Sequence, residues 1–472
     1  MMNSKALLSF ILVAFSIQLS AQDTYKLDFK IKGLQDSIIY LSNYYGGGQY
    51  YKDTAIVKDG SFTFTGNKPL KEGMYSLVAN NRRYFDFFVD KQKFSMSTDT
   101  ANMIQNMKIQ GSPENALFYE YMNYLTSQQK LMANYRIQAK DSTLSKKEKA
   151  KIETKMTDLD KEVNSYRSEF FAKNKETFTV KFLLAMEYPE VPEAPKNKKG
   201  EIDSSFAYHY TKAHLFDHID FNDERFLNSP AYNEKMEYYI SKLTPQIPDS
   251  IIVAGDYLLK KATNPEIFRY TLSYITSTYE KSDYIGMDAI FVHMARKYYL
   301  AGKADWVNEK QLKKIEERTD ALEPLLIGKK APNIIVKDPS QQKYLQLYDL
   351  KSKYVIVYIW SPDCGHCKKS TPVLKKIYDK YKGEGLEVFA VGNDFENEKW
   401  LEYIKDNNLD WINGSDGGEF TSNFRHLYDV YSTPQTYLLD KDKKILIKKI
   451  EVEALDDYIE QLIKQDKKID GK

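Results

Sequence analysis

The chain has 472 residues, of which 42% are hydrophobic, 14% aromatic and 28% charged. This length is enough for about three domains with ordinary hydrophobic cores. Its 68 basic and 66 acidic side chains give a formal net charge of +2. Near neutrality excludes the strongly basic surface of a nucleic-acid-binding protein.

Residues 1–21 have the layout of a cleaved secretory signal. Lys5 precedes an apolar stretch over residues 6–17, and Leu-Ser-Ala follows at 19–21. The apolar stretch is too short to span a bilayer, and no later segment approaches 18 uncharged apolar residues. No cysteine follows the predicted cleavage site to carry a lipid. We therefore expect a soluble protein without stable membrane insertion, outside the cytoplasm, where disulfides persist.

Short alternating runs between residues 24 and 110 are typical of antiparallel sheet. They include K-L-D-F-K-I from Lys26 and S-F-T-F from Ser61, and Gly and Asp-Gly turns separate them. This pattern predicts an all-β, sandwich-like domain over residues 22–111. The glycines at 46–48 lie between strands with no Gly-Lys-Ser/Thr after them, so we expect no phosphate-binding loop and no cofactor.

The hydrophobic period changes to 3.6 residues after residue 112 and predicts an all-helical domain over residues 112–325. One Pro-rich loop at 189–195 interrupts it. His214, Asp217 and His218 would share a helix face and resemble an inverted zinc motif, but Asp stands where the base chemistry needs Glu. Surface or capping histidines at a helix end are the simpler interpretation, and we expect no metal.

An α/β pattern occupies residues 326–472. A nearly unbroken apolar run at 354–360 is typical of a central strand covered on both faces. A helix, a strand at 386–391, a second helix, paired strands at 436–439 and 444–450 and a closing helix follow. The helix that begins at Cys364 places its sulfur at a helix N-terminus.

The two cysteines of the chain, Cys364 and Cys367, have only Gly365 and His366 between them. A static bridge of that span closes too short a loop to stabilise much. No second Cys or His pair lies near them in sequence to complete a zinc site. Both remain alternatives, but in an oxidising compartment the spacing favours a redox-active dithiol.

Four sequence features of the last 145 or so residues occur in the order known from one family. They are Ala-Pro-Asn before the first strand, W-S-P-D-C-G-H-C, Pro372 five residues after the second cysteine, and S-T-P-Q-T-Y-L-L-D from Ser432. This part resembles the thioredoxin-fold domain of the TlpA/ResA-like thiol-disulfide oxidoreductases, a branch close to the AhpC/TSA group. The resemblance implies that Pro434, after Thr433, is the cis-proline facing the disulfide. It also implies that Trp360 packs beneath the site, although an ordinary core role fits Trp360 nearly as well.

The upstream regions resemble the sandwich-like and helical domains that precede this module in a group of Gram-negative envelope proteins. That resemblance implies a location in the periplasm of a Gram-negative bacterium. The functions of those two domains are undefined in that group, so it assigns no role to residues 22–325.

Two positions depart from the family pattern. Tyr358 stands six residues before the first cysteine, where thioredoxins have a buried acid. Ser370 stands three residues after the second cysteine, where the envelope reductases often have Glu. Water, His366 or Asp363 would then have to accept the proton of the buried thiol.

The mechanism expected from these residues is thiolate exchange. Cys364, exposed at the helix start, exchanges with a partner's sulfur, and Cys367, more buried, resolves the mixed disulfide. Gly365 keeps the approach open. His366 adds positive charge when protonated, unless it only faces solvent, and Asp363 adds negative charge and caps the helix.

The sequence therefore predicts an extracytoplasmic thiol-disulfide oxidoreductase acting on protein thiols and disulfides, in the direction of reduction, with an unidentified redox partner. A disulfide isomerase or oxidant is an alternative, because C-G-H-C occurs in protein disulfide isomerases. A peroxidase is less compatible, because Val357 replaces an expected proline and C-x-x-C is not the peroxidase arrangement. The last alternative is an envelope binding protein with an accessory redox domain.

Overall fold

The computed structural model describes residues 24–196, 199–282, 284–393, 397–417 and 422–470. The predicted signal at 1–21 lies outside these residues. Strands, then helices, then mixed strands and helices follow one another, which confirms the predicted fold class. The chain divides into two compact units, with the boundary between Tyr239 and Ile240. The predicted domain limits at 111/112 and 325/326 stay predictions.

Two four-stranded sheets form the N-terminal region, in the orders β4-β1-β7-β8 and β3-β2-β5-β6. Alternate residues of β1 are buried, and one aromatic core takes side chains from both sheets, so the region is a sandwich. Its strands are β1 (Tyr25–Lys32), β2 (Ile38–Tyr45), β3 (Gly48–Ile56), β4 (Ser61–Gly66), β5 (Gly73–Ala79), β6 (Arg82–Val89), β7 (Lys93–Asp99) and β8 (Lys108–Gln110).

Five helices complete the first unit. The side chain of Asn115 in the first of them bonds both the N–H and the carbonyl of Phe88, at 2.7 and 2.6 Å, and so fixes that helix to the edge of the sandwich. Phe88 also packs against the rings of Phe178 and Phe182. These helices are α1 (Pro113–Ala139), α2 (Lys146–Lys173), α3 (Phe178–Met186), α4 (Phe206–His214) and α5 (Pro230–Ser241), the last ending just past the boundary.

Four further helices open the second unit: α6 (Pro248–Lys261), α7 (Pro265–Glu280), α8 (Asp288–Met294) and α9 (Glu309–Leu322). A π-helical turn, Ala295–Tyr299, continues α8. The Lys448 ammonium, 4% exposed, bonds the Asp288 carboxylate at the start of α8 and the Leu325 carbonyl. Leu325 itself lies in the core of the following α/β region. Buried polar and apolar contacts thus join these helices to the α/β region.

The α/β region has a seven-stranded sheet in the order β10-β9-β13-β12-β11-β14-β15. Its strands are β9 (Ile335–Lys337), β10 (Tyr344–Gln346), β11 (Tyr354–Trp360), β12 (Leu386–Gly392), β13 (Ile412–Ser415), β14 (Gln435–Asp440) and β15 (Ile445–Lys448), and its helices are α10 (Gly365–Tyr381), α11 (Asn397–Asp406), α12 (Phe424–Leu427) and α13 (Val452–Asp470).

Strand β11 is buried at every residue, as its apolar run predicts. Ile356 and Trp360 face a core shared with α10, α11 and α13, whereas Val355 and Val357 face a second core that includes Phe424 of α12. The strand is parallel to β12 and antiparallel to β14. This is a thioredoxin fold, and the end of β11 delivers the chain to Cys364. No helix in the described part of the chain combines the length and apolarity that a membrane crossing needs.

Candidate active site

Cys364 occupies the N-terminal cap of α10. Its backbone is extended, with φ −78° and ψ 121°, and the helix begins at Gly365. No side chain caps the helix at this position, so the first-turn N–H groups are free to point at the sulfur. Those of His366 and Cys367 both act on the Cys364 thiol.

Thr433 faces the dithiol from the loop before β14. Its carbonyl oxygen accepts a hydrogen bond from Cys364 Sγ at 3.1 Å. The Thr433–Pro434 peptide bond is cis, as the resemblance implied. Because β14 neighbours β11 in the sheet, the fold brings this loop next to a cysteine 69 residues earlier in the chain.

Both cysteines are free thiols, and the surroundings of Cys364 favour its anion. Partial burial acts to raise the pKa of Cys364, but hydrogen bonds from the Cys367 N–H, the Thr433 hydroxyl, the Cys367 thiol and the His366 N–H outweigh that effect. The pKa of Cys364 therefore lies below the usual value for a thiol. A partly exposed thiol with a lowered pKa is a better nucleophile than an ordinary thiol.

Cys367 is fully buried, with 0% of its surface exposed. Burial raises the pKa of Cys367 to about 12, with smaller contributions from neighbours including Cys364. The fold therefore makes the two thiols unequal: one can ionise readily and reach a partner, and the other stays protonated inside the core.

Gly365 and His366 are both exposed between the cysteines. Apart from its chain neighbours and the backbone of its own helix, a Cβ added to Gly365 would meet no described atom within 4 Å. The described contacts of His366 are made by its backbone, whose carbonyl accepts a hydrogen bond from Ser370 Oγ at 3.0 Å. The residue is exposed, and whether its imidazole affects Cys364 stays a prediction.

Asp363 does not cap the helix, which corrects one expectation. The cap position belongs to Cys364, because the chain between β11 and α10 makes its turn one residue later than a cap at Asp363 requires. The Asp363 carboxylate is 63% exposed and lies 3.4 Å from Lys399 Nζ of α11. A pair this exposed adds little stability.

Trp360 is completely buried below the site. Its ring packs against Tyr358 at 6.2 Å and against Tyr403 at 5.2 Å between centroids, in the same core as Cys367. This position fits both interpretations made from the sequence, support of the site and ordinary core packing.

Three family models match successive parts of the chain. Residues 327–447 match the AhpC/TSA family. Residues 25–118 and 143–323 match two domains of unknown function, DUF4369 and DUF5106. The matched functional family thus covers the region that contains the two cysteines.

Relatives with a stated activity also align with this region. Thiol-disulfide oxidoreductase ResA of Bacillus thuringiensis subsp. konkukian (strain 97-27) is 33% identical over 144 residues, which are 30% of this chain and 80% of the relative. The chain belongs to the ResA family of thiol-disulfide oxidoreductases. ResA of Bacillus subtilis (strain 168) is 28% identical over 119 residues, 25% of this chain and 64% of the relative.

Solved structures similar to the chain include further proteins with thiol-disulfide names. A domain of a possible thiol-disulfide isomerase from Cytophaga hutchinsonii is 39% identical, with 31% of this chain and 98% of that chain covered and a TM-score of 0.29. A thioredoxin-like protein from Bacteroides caccae is 20% identical, covers 58% of this chain and 97% of its own, and has a TM-score of 0.44.

Tyr358 and Ser370, the two positions that depart from the family pattern, bring hydroxyl groups together in the core. The Tyr358 hydroxyl is paired with Thr371 Oγ1 at 2.9 Å and Ser370 Oγ at 3.2 Å, all in the core around Cys367. Burial raises the pKa of Tyr358, so this hydroxyl stays neutral. The sequence pointed to Tyr358 and Ser370 as departures but missed Thr371, although its position four residues after Cys367 places it on the same helix face.

His214, Asp217 and His218 do not share a helix face, because α4 ends at His214. The Asp217 carboxylate is instead 2.7 Å from His214 Nδ1, as a group at the helix end. Within the described ranges, no group of three or more His, Cys, Asp or Glu side chains is arranged to hold a metal ion.

A cavity of about 610 Å³ lies in the first unit, and none of its lining residues belongs to the thioredoxin fold. Arg167 and Glu187 pair with each other in its wall, and His214 pairs with Asp217 there. Its charged groups are thus largely used within the protein, so we assign the chemistry to the dithiol and not to this cavity.

Proposed function

We propose that this protein reduces disulfide bonds of polypeptides outside the cytoplasm, through a mixed disulfide between Cys364 and its client. The inequality of the two thiols carries this proposal. Cys364 is half-exposed with a lowered pKa, and Cys367 is buried with its pKa raised to about 12. Such a pair has a defined order of events, with one sulfur for attack and the other for resolution.

In the first step the Cys364 thiolate attacks one sulfur of the client disulfide. The client S–S bond breaks, an S–S bond to Cys364 forms, and the released client thiolate takes a proton from solvent. The N–H groups of His366 and Cys367 stabilise the attacking Cys364 thiolate at the surface.

In the second step the Cys367 sulfur attacks the Cys364 sulfur, and the Cys367 proton passes through water to the departing client thiolate. The mixed disulfide breaks, the second client thiolate leaves and is protonated, and a Cys364–Cys367 disulfide forms. Two electrons have then passed from the protein to the client. Because the pKa of Cys367 is high, loss of its proton is the step that limits resolution. A dithiol donor must reduce the protein again before the next turnover.

The proposed direction depends on how strongly the protein stabilises the Cys364 thiolate. A more stable thiolate makes the corresponding disulfide more oxidising. Within the described structure, the groups that lower the pKa of Cys364 are neutral: two backbone N–H groups, Thr433 and the Cys367 thiol. We place the reduction potential between the values of roughly −270 mV for thioredoxin and −180 mV for protein disulfide isomerase.

The location outside the cytoplasm rests on the layout of residues 1–21. Fusion of residues 1–30 to a reporter that is active only after export tests it. Export should depend on the apolar stretch. A reporter that stays in the cytoplasm contradicts the proposed location but not the proposed disulfide exchange.

The central experiment is capture of the mixed disulfide. Cys367→Ser leaves the attacking thiol without a resolving partner, so incubation with a disulfide-bonded polypeptide should accumulate a covalent complex on a non-reducing gel. Cys364→Ser is the matched control, and it should capture nothing because its remaining thiol is buried. Equal capture by the two variants, or capture by neither, contradicts the proposed mechanism.

The direction needs a separate measurement, because an isomerase would share the first step. Equilibration with glutathione gives the reduction potential. The reduced protein should reduce insulin stoichiometrically, whereas the oxidised protein should not introduce disulfides into a reduced polypeptide. Reactivation of a scrambled disulfide protein without net consumption of reductant would instead support the isomerase alternative.

A further inference from the structure

Helix α9 contacts the loop that carries the Thr433 carbonyl. Arg318 Nη1, on α9, bonds Asp429 Oδ1 at 2.6 Å, and Asp429 opens the loop that leads to Thr433. The Asp429 side chain is 3% exposed and that of Arg318 27%. A short hydrogen bond between opposite charges, with one partner fully buried, is among the stronger contacts available to a loop.

Arg318 is the closest cation to the Asp429 carboxylate in the described structure. The second oxygen, Oδ2, is buried and has no hydrogen-bond partner among the described residues. Lys449 lies 3.8 Å from it, beyond hydrogen-bonding distance. The Asp429 backbone has φ +50°, a strained value that the surroundings must enforce. Loss of the Arg318 bond would leave a buried charge without a direct partner.

The same arginine reaches further along the loop. Its guanidinium lies 5.8 Å from the ring centroid of Tyr431, a residue that is 84% exposed. At the base, Gln435 Nε2 bonds the Asp429 carbonyl at 3.2 Å and closes the loop between them. Thr433 therefore lies on a short loop. Gln435 closes the loop at its base, and Arg318 contacts it through Asp429 and Tyr431.

The position of Arg318 is itself well fixed. Thr319 and Leu322, its neighbours on α9, are buried, and Leu325 just beyond the helix lies in the core of the thioredoxin fold. A side chain on such an element can hold a loop more accurately than another loop could.

We propose that Arg318 is a positioning residue for disulfide exchange: through Asp429 and Tyr431 it holds the loop so that the Thr433 carbonyl stays against Cys364 Sγ. This inference rests on the proposed function and gives a role to helix α9, which lies in the region that matches a domain of unknown function. A polypeptide client that docks beside Cys364 meets this loop, whereas a small disulfide reaches the sulfur without it.

Full-length Arg318→Ala tests the proposal, with Arg296→Ala as the matched control. Arg296 also bonds acids of the α9 region, Asp320 and Glu323, each at 2.6 Å, but it makes no described contact with the loop. Two quantities are measured for each variant at a temperature where it is folded: amide hydrogen exchange over residues 429–435, and kcat/KM for a disulfide-bonded polypeptide and for the small disulfide DTNB.

We expect Arg318→Ala to speed amide exchange over 429–435. It should also lower kcat/KM for the polypeptide by roughly five- to tenfold, mainly through KM, with less than a twofold change for DTNB. Arg296→Ala should change none of these values. Arg318→Lys retains the charge without the planar fork, so it should recover part of the loss.

Equal amide exchange and equal polypeptide kinetics in Arg318→Ala and Arg296→Ala would overturn the proposal, whatever the melting temperatures. If Arg318→Ala does not fold, the same amide-exchange and kinetic measurements on Arg318→Lys and its control Arg296→Lys test the proposal. A wild-type protein that exchanges no disulfide at all would refute the proposed function, while amide exchange over 429–435 would still report whether Arg318 holds the loop.

Discussion

The N-terminal sandwich and the thioredoxin fold use their aromatic and polar side chains differently. In the sandwich, Phe29 and Phe87 lie in a cluster of buried rings, with their centroids 5.3 Å apart. In the thioredoxin fold the core beside Trp360 also encloses a thiol and several hydroxyl groups. A core that encloses a thiol and hydroxyl groups has fewer apolar contacts. Burial of one thiol there gives the two cysteines different pKa values.

The difference between the two cores would be contradicted most directly if the two cysteines reacted at the same rate. Thiolate, not thiol, is alkylated, and a lowered pKa shifts the ionisation midpoint of Cys364 to lower pH. We expect iodoacetamide at pH 7 to label Cys364 more than about 100-fold faster than Cys367, whose pKa is raised to about 12. Labelling is followed by peptide mass spectrometry across pH 5–9.

Unfolding in urea is the control for that measurement, because it should bring the two rates within about twofold and both midpoints near about 8.5. Faster labelling of Cys367 in the folded protein would reverse the assignment of the attacking and resolving sulfurs.

A second test asks whether the sandwich core serves packing alone. Phe87 is 0% exposed, so Phe87→Ala should destabilise the first unit by about 3–5 kcal/mol. Disulfide exchange per folded molecule should not change. Thermal unfolding and an insulin reduction assay check both parts, and Phe87→Leu, which keeps more of the volume, is the milder control. Lost exchange in a folded Phe87→Ala protein would show that the sandwich takes part in the reaction.

A third test compares fragments of the second unit. We expect residues 326–472 to fold and exchange disulfides, but this fragment loses the bond between Lys448 and Asp288 and the burial of Leu325. Burial of one leucine contributes about 1.5–3 kcal/mol, so the fragment should melt roughly 5–10 °C below residues 240–472. An insoluble 326–472 fragment beside a folded 240–472 fragment would make the helices part of the catalytic domain.

A smaller effect on the pKa of Cys364 distinguishes the backbone N–H of His366 from its imidazole. Its backbone N–H helps to lower the pKa of Cys364, and the residue is exposed. His366→Pro removes the N–H, so the pKa of Cys364 should rise by up to about one unit and the potential should fall by up to about 30 mV. His366→Ala keeps the N–H and should change both by less than half as much. A larger effect from Ala than from Pro would assign the role to the imidazole.

The smallest effect is expected at Asp363. Its carboxylate disfavours a nearby anion, so Asp363→Asn should lower the pKa of Cys364 and raise the potential, by a few tenths of a pKa unit at most because the group is exposed. Lys399→Ala should act in the opposite direction by leaving the Asp363 charge unpaired. The two shifts should shrink at 1 M salt, and shifts independent of salt would contradict a charge effect.

Local patterns predicted the parts of the fold that depend on local sequence. The apolar run at 354–360 predicted strand β11, and the helix start predicted at Cys364 lies one residue before the observed first helical residue, Gly365. The cis peptide at Pro434 came from resemblance alone. His214 lies at a helix end, as the simpler interpretation of that cluster held, and it shares no helix face with Asp217 and His218 because α4 ends at His214.

Contacts between distant segments could not be predicted in this way. Arg318 and Asp429 are 111 residues apart, and nothing in the period of α9 indicates which exposed arginine meets a loop. The cluster of hydroxyl groups around Tyr358 also could not be predicted, because it depends on how α10 packs over β11. A pairing of this kind is decided by the tertiary arrangement, which a single sequence does not encode in its spacing.

The open space around Gly365 has a practical consequence. Its backbone does not require glycine, and apart from its chain neighbours and its own helix backbone an added Cβ would touch no described atom. A side chain at this position would therefore change what a partner meets beside the reactive sulfur. A library of residues at 365 and 366 would offer redox couples of graded strength on one unchanged scaffold, so the protein can be retuned as a reagent at two adjacent codons.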